Sequence, residues 1–158
     1  QKLTTGDDFQ NLTLNLTDGS TLELPRDIDT NFAIVLFFEV LVTLLHPLLA
    51  GYEERRGAFA ELGVSIFAAA VDTKEQTLKV AEPLGFPVAY GVTREQADLL
   101  GAWWDEKRAF IQPSEFLIRG GKVAMSTYSN SPIGRMDPAE MLTLIKIVNS
   151  KAKSNFVG

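Results

Sequence analysis

Two runs of apolar residues separated by a helical pattern constrain the fold of this chain most strongly. Phe32–Phe38 (FAIVLFF) is continuously apolar, and Val64–Val71 (VSIFAAAV) has the same character. Short runs of this kind are typical of strands that are covered on both faces. Between them, residues 47–62 carry apolar side chains near helical spacing and stop before Gly63. A strand–helix–strand unit places two parallel strands in one sheet, so the sequence predicts an α/β fold.

The remaining patterns add hairpins and helices to this unit. Asp18-Gly19 and Gly120-Gly121 each separate two short β-prone segments, which predicts two hairpins. The predicted order is β-β-β-α-β-α-(β)-α-β-β-α, with a mixed sheet flanked by helices, and residues 103–112 are predicted as loop with some strand. No repeat or linker interrupts it, so we expect a single domain over residues 1–158. Helix starts are predicted at Asp72 or Thr73, at Thr93, and at Asp137 followed by Pro138.

Charge and composition exclude several classes of function. The net charge of −5, with scattered basic residues, argues against nucleic acid and anionic membrane as partners. The longest apolar segment, 32–50, is interrupted by polar residues and a proline, so no membrane span is expected. No targeting segment is recognisable, which favours the cytoplasm. The chain has no cysteine, which excludes disulfides, thiolate metal sites and iron–sulfur clusters, and we expect no metal and no cofactor.

Short motifs over most of the chain occur in the order and spacing of a known family. Together they resemble the peroxiredoxin-like group, the alkyl hydroperoxide reductase and thiol-specific antioxidant (AhpC/TSA) family of the thioredoxin-fold superfamily. The resemblance implies a thioredoxin-like three-layer sandwich with an N-terminal β-hairpin. The motifs are Gly6-Asp7-Asp8-Phe9, Asp18-Gly19-Ser20, Ile34–Phe38, Leu62-Gly63-Val64, Val71-Asp72-Thr73, Leu84–Pro87, Gly101–Asp105, and Phe116-Leu117-Ile118 with Gly120-Gly121-Lys122.

The family's active-site loop is altered in this chain. Counting back from Leu49–Glu53, the two cysteine positions of a bacterial subgroup fall at Val42 and Leu45, and Thr43 stands where that subgroup has proline. Peroxide reduction in such proteins uses a thiolate whose pKa is lowered at a helix N-terminus. Valine and leucine cannot supply one. The resemblance therefore implies an antioxidant-family protein in which thiol peroxidase activity is absent.

A second element of the family's site is also replaced. The arginine that helps to hold peroxide would stand three residues before Phe116, where this chain has Pro113. Arg108 and Arg119 are near in sequence but do not match the motif. A proline before the penultimate strand of thioredoxin-like proteins is usually cis and faces the active-site loop. The resemblance therefore implies a cis bond at Pro113, whereas the sequence itself equally allows a trans proline that begins a strand.

Three polar residues near the altered loop are candidates for other chemistry. His46 is the sole histidine and could move protons, and Glu39 could form an acid–base pair with it. Thr43 is the nearest hydroxyl and could act as a nucleophile given a base. The plainer interpretations are a helix-start or surface imidazole, a solvated carboxylate, and a helix N-cap.

Three functional hypotheses remain open at this stage. The first is a degenerate protein that acts by binding an apolar small molecule or peptide, with Val42, Thr43, Leu44, Leu45 and Pro113 lining the site. The second is an oxidoreductase-family enzyme with non-thiol acid–base chemistry at the same loop. The third is an altered form of a true thiol peroxidase, in which the sulfur was replaced by drift or by design.

An aromatic stretch suggests a further partner. Trp103, Trp104 and Phe110 lie close together in sequence. Exposed aromatic side chains anchor many protein interfaces, and tryptophan also covers cores. The sequence leaves these two roles open, and the first of them predicts a homodimer.

Overall fold

The structure is a computed structural model. The structure describes residues 2–40, 47–105, 107, 110–128 and 137–157. Within these ranges the two apolar runs form neighbouring parallel strands, as the sequence predicts. The strands are β1 (Leu12–Leu16), β2 (Thr21–Leu24), β3 (Phe32–Phe38), β4 (Val64–Ala70), β5 (Val88–Tyr90), β6 (Trp104–Asp105), β7 (Phe110–Ile111), β8 (Ser114–Arg119) and β9 (Lys122–Tyr128).

Seven of these strands form one mixed sheet in the order β2-β1-β5-β4-β3-β8-β9. Strands β3, β4 and β5 are parallel, whereas β1 and β8 run antiparallel to their neighbours β5 and β3. Both predicted hairpins are present, β1–β2 and β8–β9. The mixed α/β fold predicted from the sequence is therefore confirmed. Every residue of β3 is buried, which explains its unbroken apolar sequence.

The helices are α1 (Pro47–Glu54), α2 (Arg56–Glu61), α3 (Lys74–Ala81), α4 (Arg94–Leu100) and α5 (Pro138–Val157). Thr73 and Thr93 each begin a helix with a capping box, in which the threonine and a glutamine three residues later bond each other's main-chain N–H. The carboxylate of Asp137 caps α5 by accepting from Ala139 N at 2.7 Å. The predicted helix starts are thus confirmed, with Thr73 and not Asp72 as the cap of α3.

Two predicted elements differ in detail. The helix predicted over 47–62 is divided at Arg55, whose backbone (φ −104°, ψ 10°) leaves the helical region. Gly51 and Gly57 on either side lower the helix propensity of this stretch. The stretch between Trp103 and Gln112, predicted as loop with some strand, contains the two-stranded antiparallel sheet β6–β7.

The sheet separates two hydrophobic clusters. On one face, alternate β3 residues such as Ile34 and Leu36 pack against side chains of α1, α2, α3 and α5. On the other face, Val35 and Phe37 pack against α4, the β1–β2 hairpin and the N-terminal segment. Gly51 lets α5 approach α1, because a Cβ there would lie 2.9 Å from Pro138 Cγ. Helices therefore cover both faces, as expected for a three-layer sandwich.

Candidate functional site

The carboxyl end of β3 lies beside the start of β8. In the register of this pair Phe37 is opposite Ser114 and Leu36 is opposite Glu115. The chain therefore leaves β3 next to Pro113, and α1 begins nine residues after Phe38 along the sequence, at Pro47. This end of the sheet is where the resemblance places the altered loop.

Most candidate residues of that loop lie outside the described residues. Val42, Thr43, Leu44, Leu45 and His46 all belong to this group. Their proposed roles in binding, acid–base chemistry or capping stay predictions, as does the pairing of Glu39 with His46. Glu39 itself is described and is half-buried just beyond β3.

Pro113 is half-buried beside the end of β3, as expected, but one prediction about it is wrong. Among the described residues the cis peptide bond joins Leu24 and Pro25, not Gln112 and Pro113. Ser114 immediately continues into β8, and its hydroxyl donates to Gln112 O at 2.8 Å. The trans proline that begins a strand, which the sequence also allowed, is the arrangement in the structure.

Arg119 cannot replace the missing arginine at this site. It lies at the far end of β8, opposite Phe32 at the start of β3, and its guanidinium stacks 5.3 Å from the Phe32 ring. Arg108 lies outside the described residues. Arg119 therefore lies away from Pro113, the position that the resemblance matches to the family's peroxide-holding arginine.

Sequence reasoning missed a buried polar pair beneath this end of the sheet. The Tyr52 hydroxyl donates to Glu115 Oε2 at 3.0 Å, and both side chains are fully buried. Tyr52 lies on α1 and Glu115 on β8, so the bond joins the helix after the loop to the strand beside it. A buried carboxyl group is stable only with hydrogen-bond partners. The signal was a single charged residue in the otherwise uncharged segment 114–118.

Asp72 holds the first residues after β3. Its Oδ2 accepts from Val40 N at 2.8 Å, and its main-chain carbonyl accepts from Gly91 N at 3.0 Å. Asp72 is 8% exposed and lies two residues after the end of β4. It therefore joins the exits of β3 and β4 to the chain after β5. The sequence suggested Asp72 only as an alternative helix cap.

The described surroundings of the loop are mainly apolar. Phe38 and Leu49 are buried in one cluster, and Val40 and Leu48 pack against its edge.

On the opposite face, Tyr128 lies opposite Ser114 at the same end of the sheet. Its hydroxyl donates to Leu100 O at 2.6 Å and accepts from Leu3 N at 2.8 Å. Burial raises the pKa of Tyr128, the bond from Leu3 lowers it, and the charge of Asp7 raises it further.

Two features are absent from the described residues. No three histidine, aspartate or glutamate side chains are grouped there so that they could hold a metal ion. In the same part of the chain, no helix is long and apolar enough to cross a membrane.

Three solved structures share this fold at low sequence identity. The peroxidoxin BcpB of Mycobacterium tuberculosis superposes with a TM-score of 0.79 at 15% identity, over 92% of this chain and 98% of the other. The mitochondrial 2-Cys peroxiredoxin of Plasmodium falciparum has a TM-score of 0.80 at 17% identity, over 96% and 97%. AhpC of Mycobacterium bovis has a TM-score of 0.82 at 15% identity, over 96% and 95%.

These similarities establish the fold, and a sequence comparison establishes the family. No curated protein sequence matches the chain. The sequence model of the AhpC/TSA family matches residues 5–126. That range covers most of the chain and includes every strand of the main sheet except the end of β9. The protein therefore belongs to the AhpC/TSA family, the peroxiredoxins of thioredoxin-like fold, and is a member without cysteine.

Proposed function

We propose that this AhpC/TSA protein acts by binding a partner. The observation that carries the proposal is the complete absence of cysteine from a chain that keeps the family's fold. The family's peroxidase reaction begins with attack by a thiolate, so thiol peroxidase chemistry is impossible here. A scaffold that has lost its reactive group retains its surfaces, and binding is the activity that those surfaces can still perform.

The proposed binding site is the segment after β3. Its sequence contributes Val42, Leu44 and Leu45, and apolar described residues lie on either side of it. Pro113 stands at its border, where the family has a positively charged arginine. An apolar segment without a cationic group favours an apolar small molecule or an apolar peptide over an anionic ligand.

Peroxide consumption with a thiol reductant tests the loss of chemistry. We expect the protein to consume peroxide no faster than the reductant alone. The Val42→Cys variant restores sulfur at the matching position, and its thiol should be oxidised faster than that of Thr5→Cys, an exposed position in the N-terminal segment. Turnover by the natural chain would overturn the proposal. Equal oxidation of the two introduced thiols would refute the placement of position 42.

Binding of an apolar fluorescent dye and of apolar peptides tests the site. We expect Val42→Asp to weaken binding by about tenfold, a change of roughly 1.4 kcal/mol. The matched control is Leu78→Asp, since Leu78 is an apolar residue on α3 that is 41% exposed. If the two variants bind equally well, the segment after β3 is not the site.

Trp103 supports a second proposal, that the protein forms a homodimer. Its side chain is 61% exposed, whereas its main chain is hydrogen-bonded at both the N–H and the carbonyl group. Trp103 N donates to Gln112 Oε1 at 3.1 Å, and Gln112 N donates to Trp103 O at 2.7 Å. Trp104 next to it packs against the core. A large exposed aromatic group on an ordered backbone loses little entropy on association.

Sedimentation of the Trp103→Lys variant tests the dimer. The expected result is a shift of the natural chain's dimer to monomer, without loss of folded structure. Leu99→Lys is the control, because Leu99 is 47% exposed and lies on α4. A natural chain that stays monomeric, or a dimer that survives Trp103→Lys, would refute this interface.

A further inference from the structure

The turn between β1 and β2 contains the chain's only aspartate–glycine pair, Asp18-Gly19, and the chain has no asparagine–glycine pair. Both residues are exposed at the tip of the hairpin. Gly19 has a φ of 94°, a backbone conformation that residues with side chains rarely adopt, so the turn requires glycine at this position. The fold therefore places a glycine directly after an exposed aspartate.

An aspartate that precedes glycine can isomerise without an enzyme or a cofactor. The main-chain nitrogen of Gly19 attacks Cγ of Asp18, its proton leaves with the carboxyl hydroxyl as water, and a five-membered imide ring forms. Water then opens the ring. Cleavage between the nitrogen and Cγ restores aspartate, whereas cleavage between the nitrogen and the main-chain carbonyl carbon gives isoaspartate, in which the chain continues through Cβ. Glycine favours this ring closure because it has no side chain to obstruct it.

Both reacting groups are engaged in hydrogen bonds in the folded turn. Gly19 N donates to Leu16 O at 3.0 Å. Asp18 Oδ1 accepts from Ser20 N at 2.9 Å and also from the Ser20 hydroxyl. Ring closure requires the nitrogen and Cγ to approach each other in a reactive geometry, so these bonds must first be given up.

Ser20 also favours the less reactive form of the carboxyl group. The hydrogen bonds from its hydroxyl and from its main-chain N–H hold the pKa of the Asp18 carboxyl below its ordinary value. The group therefore stays ionised to lower pH, and a carboxylate has no hydroxyl to lose as water. Ser20 thus opposes ring closure both by position and by charge.

We propose that Asp18 is a site of spontaneous isomerisation to isoaspartate, and that Ser20 restrains this reaction in the folded protein. Ser20 acts here as a positioning residue, through its two hydrogen bonds to the Asp18 carboxylate. The turn lies on the β1–β2 hairpin, so the proposal does not depend on binding at the segment after β3.

Isoaspartate would disturb a turn that sets the pairing at one edge of the sheet, because it adds Cβ to the main chain of the loop. Leu16 N donates to Ser20 O and Thr17 N donates to Val88 O, both at 2.9 Å, so the tip is joined to the start of β2 and to β5. Leu16 and Leu22 are buried in the present register. A change of register would expose such residues. We therefore expect the isomerised protein to unfold at a lower urea concentration than the natural protein.

Incubation of the folded protein and of a synthetic peptide with the sequence of residues 14–24, in the same buffer, tests the proposal. Trypsin releases residues 3–26 of the protein as one peptide, in which electron-transfer fragmentation distinguishes isoaspartate from aspartate at position 18. We expect isoaspartate to form severalfold more slowly in the folded protein than in the synthetic peptide. A peptide that forms none would refute the site, and equal rates in the two would refute its protection by the fold.

Three variants test the role of Ser20. We expect severalfold faster isomerisation in Ser20→Ala, whereas Ser20→Thr retains a hydroxyl and should stay close to the natural rate. Thr21→Ala is the matched control, because Thr21 is the next residue and is also exposed. Equal rates in Ser20→Ala and Thr21→Ala would overturn the assignment.

Hydrogen exchange at the Thr17 amide separates this role from general support of the hairpin, since that amide bonds Val88 O. We expect exchange in Ser20→Ala to increase much less than isomerisation does. An increase in exchange as large as the increase in isomerisation would mean that Ser20 only keeps the hairpin closed, and would refute direct restraint of Asp18.

Discussion

The hydroxyl of Tyr52 donates a hydrogen bond to Glu115 across 3.0 Å, and solvent reaches neither side chain. The Tyr52 ring also packs 5.5 Å from that of Phe59, so its orientation is determined on two sides. The bond ties α1 to β8 directly beneath the end of the sheet where the family's chemistry takes place. In this cysteine-less protein it is the most deeply buried polar contact described near that position, and we expect it to stabilise the position of α1.

Removal of the Tyr52 hydroxyl should destabilise the fold. Tyr52→Phe keeps the ring but leaves Glu115 without this donor, so we expect the free energy of unfolding to fall by about 1–3 kcal/mol. Chemical denaturation measures the loss. Tyr90→Phe is the control, since Tyr90 is half-buried at the end of β5 and no side-chain hydrogen bond is described for it. Equal stability of the two variants would show that the contact contributes nothing.

The carboxylate of Asp72 should protect the chain where it leaves β3. Asp72→Ala removes the acceptor of Val40 N, and we expect a loss of about 1–2 kcal/mol together with faster hydrogen exchange at the Val40 amide. Asp72→Asn retains an oxygen acceptor and should stay closer to the natural protein. Unchanged protection of Val40 in Asp72→Ala would contradict the assigned role.

Thr77 offers a site for stabilisation. It is fully buried on α3, and its hydroxyl has no hydrogen-bond partner within the described structure. Thr77→Val replaces that hydroxyl with a methyl group of similar size, so we expect a gain of about 1 kcal/mol. In the control Thr143→Val, the hydroxyl that is removed is exposed and donates to Ala139 O at 3.0 Å. Thermal or urea denaturation measures the stability of both variants. If Thr77→Val is less stable than Thr143→Val, the buried hydroxyl of Thr77 does not destabilise the fold.

Tyr128 should make stability depend on alkaline pH. Burial raises its pKa above the ordinary 10.0, so the folded protein holds this proton more tightly than the unfolded chain does. The resulting stability is fully present below pH 10.0 and is lost as the pH rises through the raised pKa. Urea denaturation above neutral pH should therefore show a steeper alkaline fall for the natural protein than for Tyr128→Phe. Parallel curves would contradict the prediction.

Much of the fold could be read from local patterns. The apolar runs of β3 and β4, the turn glycines of both hairpins, and the threonines before α3 and α4 all took the predicted roles. Each of these signals depends on neighbours within a few residues. The division of the long helix at Arg55 was missed, since low helix propensity at two glycines is a weak signal by itself.

The candidate site was predicted in outline only. The resemblance implied that Pro113 faces the altered loop, and in the structure Ser114, the residue after it, lies opposite Phe37 near the end of β3. The prediction of a cis peptide bond at Pro113 was wrong. It was carried over from a resemblance, and the local sequence allows either isomer. Glu115 and Asp72 went unrecognised as polar contacts at the site, because a single acidic residue in a strand or loop does not indicate which distant group it meets.

By itself the sequence determined the α/β order, the covered central strands and the absence of thiol chemistry. These follow from residue type and from short-range periodicity, which any local segment carries. Only the tertiary structure decided which distant groups meet. Tyr52 and Glu115 are 63 residues apart, and Leu3 reaches Tyr128 across 125 residues. Such pairings result from packing of the whole chain, since many alternative partners satisfy the same local pattern and only the complete fold selects one.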